Sequence, residues 1–115
     1  MAEWIKICQI KEINASEPYS YDNGESKIML TKLNNEIFAT DRICTHAYAD
    51  LSTGFLNDKE MTITCPLHMS SFKLNDGVPF NLPAEEPIKI YQTKIEEGVI
   101  YVLIDSRVMT HSYEK

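Results

Sequence analysis

No stretch of this chain is apolar for longer than the six residues Val99-Ile100-Tyr101-Val102-Leu103-Ile104, and a membrane-spanning helix needs roughly 20. A bilayer-crossing helix is therefore excluded. The first residues, Met1-Ala2-Glu3-Trp4-Ile5-Lys6, lack the basic start, apolar stretch and small-residue cleavage site of a secretory leader, so a cytoplasmic location is expected. Basic residues are scarce, 11 Lys and Arg against 17 Asp and Glu. A surface of net charge −6 repels a nucleic-acid backbone or an anionic membrane; it suits solubility, or docking to a basic patch on a partner protein. Three cysteines cannot all pair with one another, and a short cytoplasmic chain does not rely on disulfides, so metal ligation or simple burial is the better reading. What remains is 115 residues, 43% hydrophobic, enough for one globular domain.

Helical periodicity is also missing. Short apolar or alternating runs, rich in β-branched and aromatic residues, recur with turn residues between them. That is an all-β pattern. Lys27 to Leu33 and Glu36 to Thr40 flank Asn34-Asn35, residues that tolerate the left-handed backbone of a two-residue hairpin turn. A second hairpin is expected from a strand over Ile88 to Ile95, the turn Glu96-Glu97-Gly98, and a strand over Val99 to Ile104. Further strands are expected at Trp4 to Ile10 and around Thr62-Ile63-Thr64. Residues 42–84 differ in character, reading as loops joined by short strands and holding both Cys-His pairs. They look like a small subdomain inserted between strands of a larger sheet. The resulting division is one domain over 1–115, with a base from about 1–41 and 85–105, a subdomain over about 42–84, and a polar tail at 106–115 without a clear period.

Cys44-Thr45-His46 and Cys65-Pro66-Leu67-His68 each place one thiolate and one imidazole in a short loop, separated by the 18 residues from Ala47 to Thr64. In a Rieske centre one iron takes two Cys and the other two His, so a loop carrying both types can clamp both irons. Neutral imidazoles in place of two thiolates ease reduction, giving potentials of about −150 to +300 mV. Electron carriage is the natural role. Two Cys and two His also suit a closed tetrahedral zinc site. The usual finger, however, supplies Cys-x₂₋₄-Cys before His-x₃₋₅-His, whereas this chain alternates Cys-x-His with Cys-x-x-His. Zinc is the disfavoured alternative.

These two motifs resemble the Rieske signature, especially that of ferredoxins serving bacterial aromatic-ring-hydroxylating dioxygenases. The resemblance extends over about residues 42 to 104, through Leu51-Ser52-Thr53-Gly54-Phe55-Leu56, Ile63, Phe72, Gly77, Pro83-Ala84-Glu85-Glu86-Pro87-Ile88, Tyr91 and Gly98-Val99-Ile100-Tyr101-Val102. It implies the Rieske fold, an antiparallel β-sheet base with a small inserted cluster-binding subdomain. It implies one [2Fe–2S] cluster on Cys44, His46, Cys65 and His68, two loops under a third that contains proline, and Pro83 and Pro87 as that loop's prolines. As ordinary turn or strand-end residues, those prolines would be equally at home. Partners implied are a ferredoxin reductase and a terminal oxygenase, with the chain itself a monomer. A small Rieske subunit of another multicomponent oxygenase or of an assimilatory reductase would carry the same fold and ligands.

Departures from the pattern are informative. Rieske subunits of cytochrome bc complexes resemble this motif but carry an extra, disulfide-linked Cys in each loop, where Ala49 and Leu67 stand here. High-potential members donate hydrogen bonds to the cluster sulfurs from a Ser and a Tyr, at positions matching Ser70 and Phe72. Loss of the Tyr hydroxyl implies a potential in the lower part of the range. Ala47 and Met69 follow the two His where glycine is common in the family. Met adopts positive φ only at a cost, so a somewhat different path is expected for the second loop, with Met69 either packed within it or exposed as an adaptable apolar contact.

The remaining candidates are bland. Cys8 in an alternating run reads as a buried hydrophobe, Trp4 as a packing anchor, and His111 as a solvated tail residue. A mononuclear iron oxygenase site needs two further His and a carboxylate, and only His111 is left once His46 and His68 are assigned. The chain is therefore expected to carry electrons, not to catalyse.

Overall fold

The computed structural model describes residues 2–15, 17–45, 49–67, 69–80 and 86–105, and the elements named are those of these residues. In chain order the strands are β1 (Ala2–Gln9), β2 (Tyr19–Asp22), β3 (Lys27–Leu33), β4 (Glu36–Asp41), β5 (Phe55–Asn57), β6 (Thr62–Thr64), β7 (Ser71–Lys73), β8 (Ile90–Tyr91), β9 (Thr93–Glu96) and β10 (Val99–Asp105). Short 3₁₀ turns lie at Ile10–Glu12 and Leu51–Thr53, and no α-helix occurs among the described residues. The strands form three antiparallel sheets, ordered β1-β10-β9, β2-β3-β4-β8 and β5-β6-β7. The expected all-β architecture is what the chain adopts.

The stacking of those sheets follows from the side chains of β3. Successive residues of a strand point to opposite faces, and Lys27-Ile28-Met29-Leu30-Thr31-Lys32-Leu33 is apolar on both. Ile28 and Leu30 pack with Cys8, Ile13, Ile100, Val102 and Ile104. Met29 and Leu33 pack on the other side with Ile63, Phe72, Leu74 and Ile88. The four-stranded sheet is thus a middle layer, with the β1-β10-β9 sheet on one face and the β5-β6-β7 sheet on the other. Burial on both faces explains why β3 reads as a run where a half-exposed strand would alternate.

The β3–β4 hairpin forms as expected, from Ile28 opposite Asp41 to Leu33 opposite Glu36. Asn34 and Asn35 take φ of 52° and 65°, the left-handed pair that matches the strand twist. The second hairpin needs correction. The strand expected over Ile88 to Ile95 is split: β8 pairs with β4, while β9 pairs with β10. Gln92 is the crossing point, and its carbonyl still accepts from the Leu103 amide at 3.0 Å. The apolar positions change phase here, from Ile88 and Ile90 to Tyr91 and Ile95, where the chain takes a new partner. Glu96 belongs to β9, and the turn itself is Glu97-Gly98, with φ of 52° and 79°.

At the N-terminal side, β1 ends at Gln9 and Ile10 enters the 3₁₀ turn, its amide held by the Gly98 carbonyl at 2.8 Å. A register shift between Lys6 and Cys8 sets Cys8 opposite Ile100, where it is buried as anticipated. Trp4 packs on the surface, its ring covered by the Lys94 ammonium at 4.6 Å. His111, with the tail 106–115, lies outside the described residues.

Candidate metal centre

Two loops leave neighbouring layers and close in the same way. The first follows β4, where the Cys44 amide donates to the Ala49 carbonyl at 2.8 Å. The second joins β6 to β7, where the Cys65 amide donates to the Ser70 carbonyl at 2.7 Å. In both, a cysteine N–H reaches the carbonyl five residues on. Below the first closure Ile43 bridges Asp50, and the Leu51 amide donates to the Arg42 carbonyl at 2.6 Å. Beneath the second, Thr64 pairs with Ser71 and their hydroxyls lie 2.6 Å apart.

Both cysteines are fully buried, and both belong to the core of Met29, Leu51, Ile63 and Phe72. None of the three cysteines is in a disulfide. Of the four expected ligands the structure gathers Cys44 and Cys65, while His46 and His68 lie outside the described residues. Accordingly no group of three or more His, Cys, Asp or Glu assembles among the described residues. An iron with two thiolate ligands needs two sulfurs on separate, firmly closed loops in a site that excludes water. A thiolate pair in an apolar core without a cation would be strongly disfavoured. The residues present fit half of a Cys₂His₂ cluster site.

Met69 departs from the path expected of it. Its amide donates to the Cys65 carbonyl at 3.0 Å and its φ is 61°. The loop therefore keeps a turn that glycine would make freely, and methionine adopts it. Met69 and Leu67 are exposed, whereas Ser70 and Phe72 are buried. Ala49 packs at the margin of the core.

A third segment is fastened to this region at several points. The Thr45 hydroxyl donates to the Glu86 carbonyl at 2.8 Å. Ile88 is buried beside the cysteines, and its amide donates to the Gly77 carbonyl at 2.9 Å. Gly77 has φ of 78°, and a Cβ there would overlap the Ile88 carbonyl. Pro87 is exposed in this segment; Pro83 falls outside the described residues. Gly54 is required by close approach alone, since a Cβ would overlap the carbonyl of Thr64, immediately before Cys65.

Electrostatics reinforce the join between base and loops. Asp41, the last residue of β4, accepts from the Tyr91 hydroxyl at 2.6 Å and from the Lys89 amide at 3.4 Å, while its own amide donates to the Lys89 carbonyl at 2.8 Å. Burial, then the hydrogen bond to Asp41 and its charge, push the Tyr91 phenol well above its ordinary value. At the foot of the first loop Arg42 Nε lies 3.3 Å from Asp50 Oδ1. The Nε–H is not directed at that oxygen, so the contact is a Coulombic one. Asp50 Oδ1 also accepts from the Ser52 amide and hydroxyl at 2.9 and 2.6 Å. Sequence reasoning missed Thr45, Asp41 and Met29 as supports. Their partners lie across the fold, and no local spacing signals them.

The family model described as Rieske [2Fe–2S] domain matches residues 3–92. The anthranilate 1,2-dioxygenase ferredoxin subunit of Burkholderia cepacia is 31% identical over 102 residues, covering 89% of this chain and 93% of its own. Among solved structures, the ferredoxin of Sphingomonas yanoikuyae B1 superposes with a TM-score of 0.83 at 29% identity, covering 90% of this chain and all of the other. A chain from the complex of reduced oxygenase and oxidised ferredoxin in carbazole 1,9a-dioxygenase does so with 0.79 at 27% identity, covering 86% and 91%.

Proposed function

This chain belongs to the Rieske [2Fe–2S] domain family, and from that premise we propose that it passes single electrons from a ferredoxin reductase to a terminal aromatic-ring-hydroxylating dioxygenase. Its cofactor is one Rieske-type [2Fe–2S] cluster, and it is an electron-carrying component, not a catalytic subunit. Cys44 and Cys65 hold one iron in this reading, and His46 and His68 the other. The observation that carries the assignment is the matched closure of two loops around two buried cysteines in one core.

The cluster, when bound, supplies a reversible one-electron couple. The protein's own residues do the rest. Met29, Ile63 and Phe72 exclude water from the sulfur side, and the two backbone closures fix where each cysteine sits. Thr45 ties the third segment to the first loop, and Ile88 ties it to Gly77, beyond β7. A shuttle must also leave its partner, which calls for a small, transient interface. No helix among the described residues is long and apolar enough to cross a membrane, and a monomer working in the cytoplasm suits this role.

Electron paramagnetic resonance of the anaerobically reduced protein tests the cofactor assignment. A rhombic signal with average g below 2 is expected, and a fully metal-loaded sample without it would leave the zinc reading standing. His68→Ala and His46→Ala should each abolish the native Rieske spectrum; an unchanged spectrum in either would overturn that ligand.

A further inference from the structure

The second loop depends on its root. Between Cys65 and Ser70 the side chains of Pro66, Leu67 and Met69 are exposed, so among the described residues the crest is not anchored in the core. Its two arms are β6 and β7, and below the Cys65–Ser70 closure they meet at Thr64 and Ser71. Ile63 and Phe72, one step further down, belong to the core and are fully buried. Alternation therefore turns Thr64 and Ser71 to the opposite face. There the two hydroxyls lie 2.6 Å apart, a hydrogen bond from one arm to the other in which either oxygen can donate.

Two features single out this pair. Thr64 is fixed on another side as well, because its carbonyl abuts Gly54 so closely that a Cβ there would overlap it. The residue before Cys65 is thus held through backbone and side chain at once. The pair is also neutral. No Asp, Glu, Lys or Arg occurs from Met61 to Phe72, whereas the root of the first loop carries Arg42 and Asp50, 3.3 Å apart. An ion pair in place of the hydroxyls would set a charge beside Cys65 and weaken with salt. We propose that Thr64 and Ser71 are positioning residues for the cluster, a hydroxyl clasp that keeps the Cys65–Ser70 closure shut and so fixes where the Cys65 sulfur sits.

The proposal rests on the ligand reading above, in which Cys65 holds an iron. The closure itself is one amide on one carbonyl, at 2.7 Å, and the end of a ladder opens more readily than its middle. The hydroxyl pair lies one residue below, at the first place to which such opening would spread. It acts only as a pair. Removing one hydroxyl breaks the bond and leaves the other desolvated without it, whereas removing both leaves neither to satisfy. Strong coupling between the two positions is the signature to look for.

The test compares Thr64→Val, Ser71→Ala, the double variant and Thr64→Ser with wild type, all as holoproteins. Hydrogen exchange followed by mass spectrometry should show the amides of the second loop exchanging about fivefold faster in Thr64→Val and Ser71→Ala, the factor that one net hydrogen bond supplies. Peptides covering the first loop should be unchanged. Cluster loss to a chelator should quicken by the same factor, and the g values of the reduced cluster should shift. Thr64→Ser, which keeps the hydroxyl, should match wild type in all three. The double variant should lose about fivefold as well, not the roughly twenty-five-fold of independent sites. Equal acceleration in both loops would mark a merely structural role and overturn the proposal. Multiplicative losses would overturn it too, as would unchanged exchange or unchanged g values in both single variants. A wild-type holoprotein without the rhombic signal would instead overturn the ligand reading, and the clasp's role toward the cluster with it.

Discussion

Three alanine substitutions separate two physical reasons for glycine. Gly98 has φ of 79° and open space where a Cβ would go; Gly54 has ordinary φ but a Cβ would overlap the Thr64 carbonyl; Gly77 combines positive φ with overlap of the Ile88 carbonyl. Conformational strain alone costs about 1–2 kcal/mol, offset by about 0.4–1 kcal/mol from a stiffer unfolded chain. Gly98→Ala should therefore lose about 1 kcal/mol. Overpacking against backbone costs about 1–3 kcal/mol, and Thr64 is held in β6 between Phe55 and Ser71, so Gly54→Ala should lie near the upper end, at about 3 kcal/mol. Gly77→Ala adds the two effects, for about 4 kcal/mol. At about 4 °C per kcal/mol for a domain of this size, melting temperatures should drop by about 4, 12 and 16 °C. Thermal melts followed by circular dichroism measure this, with visible absorbance followed in parallel. The cluster spectrum should be disturbed in the Gly54 variant, whose collision falls next to Cys65, and unchanged in the Gly98 variant. A Gly98→Ala loss equal to that of Gly54→Ala would refute the reasoning.

Further outcomes follow from buried groups. Tyr91 keeps its proton in the folded state above pH 10, where an unfolded tyrosine ionises; its contribution is complete below about pH 10 and falls as pH rises beyond it. Tyr91→Phe should lose about 1 kcal/mol at neutral pH, through the bond to Asp41, and should flatten the alkaline decline in melting temperature. Cys8, whose thiol is pushed up to about 11 chiefly by burial, should resist thiol reagents at pH 8 until the protein unfolds. Prompt labelling of the native protein there would contradict its burial. Met29→Ala, emptying a fully buried position behind the cysteines, should cost about 2–5 kcal/mol and hasten loss of the visible spectrum on heating.

The parts legible in the sequence are those written in local spacing. Asn34-Asn35 between two apolar runs announced a hairpin because the turn demands residues tolerant of positive φ. Cys44 and Cys65 were marked by neighbours two and three residues away. The split between β8 and β9 is carried only by one change of phase in the apolar positions, between Ile90 and Tyr91, too slight a signal to divide a short run into two strands. The strands β2, β5 and β7 are only three or four residues long, too short for periodicity to register. Met69 shows a third case, where the chain's chemistry and the fold's geometry disagree. The sequence pointed to an altered path, but the backbone bonds closing the loop outweigh the preference of one side chain.

The paired closures at Cys44 and Cys65 bear on how fast an electron can move. A redox centre that changes charge pulls its ligands toward new positions, and the free energy of that rearrangement sets the barrier when the driving force is small. Here each cysteine is fastened through its own amide to a carbonyl across the loop, the first above the isolated Ile43–Asp50 bridge and the second above the Thr64–Ser71 pair that ends the β6–β7 ladder. As the iron ligands proposed above, their sulfurs would have little room to relax in either oxidation state. With those ligands, nuclear reorganisation on gaining or losing the electron would be kept small, and exchange would stay rapid between partners whose potentials lie close together.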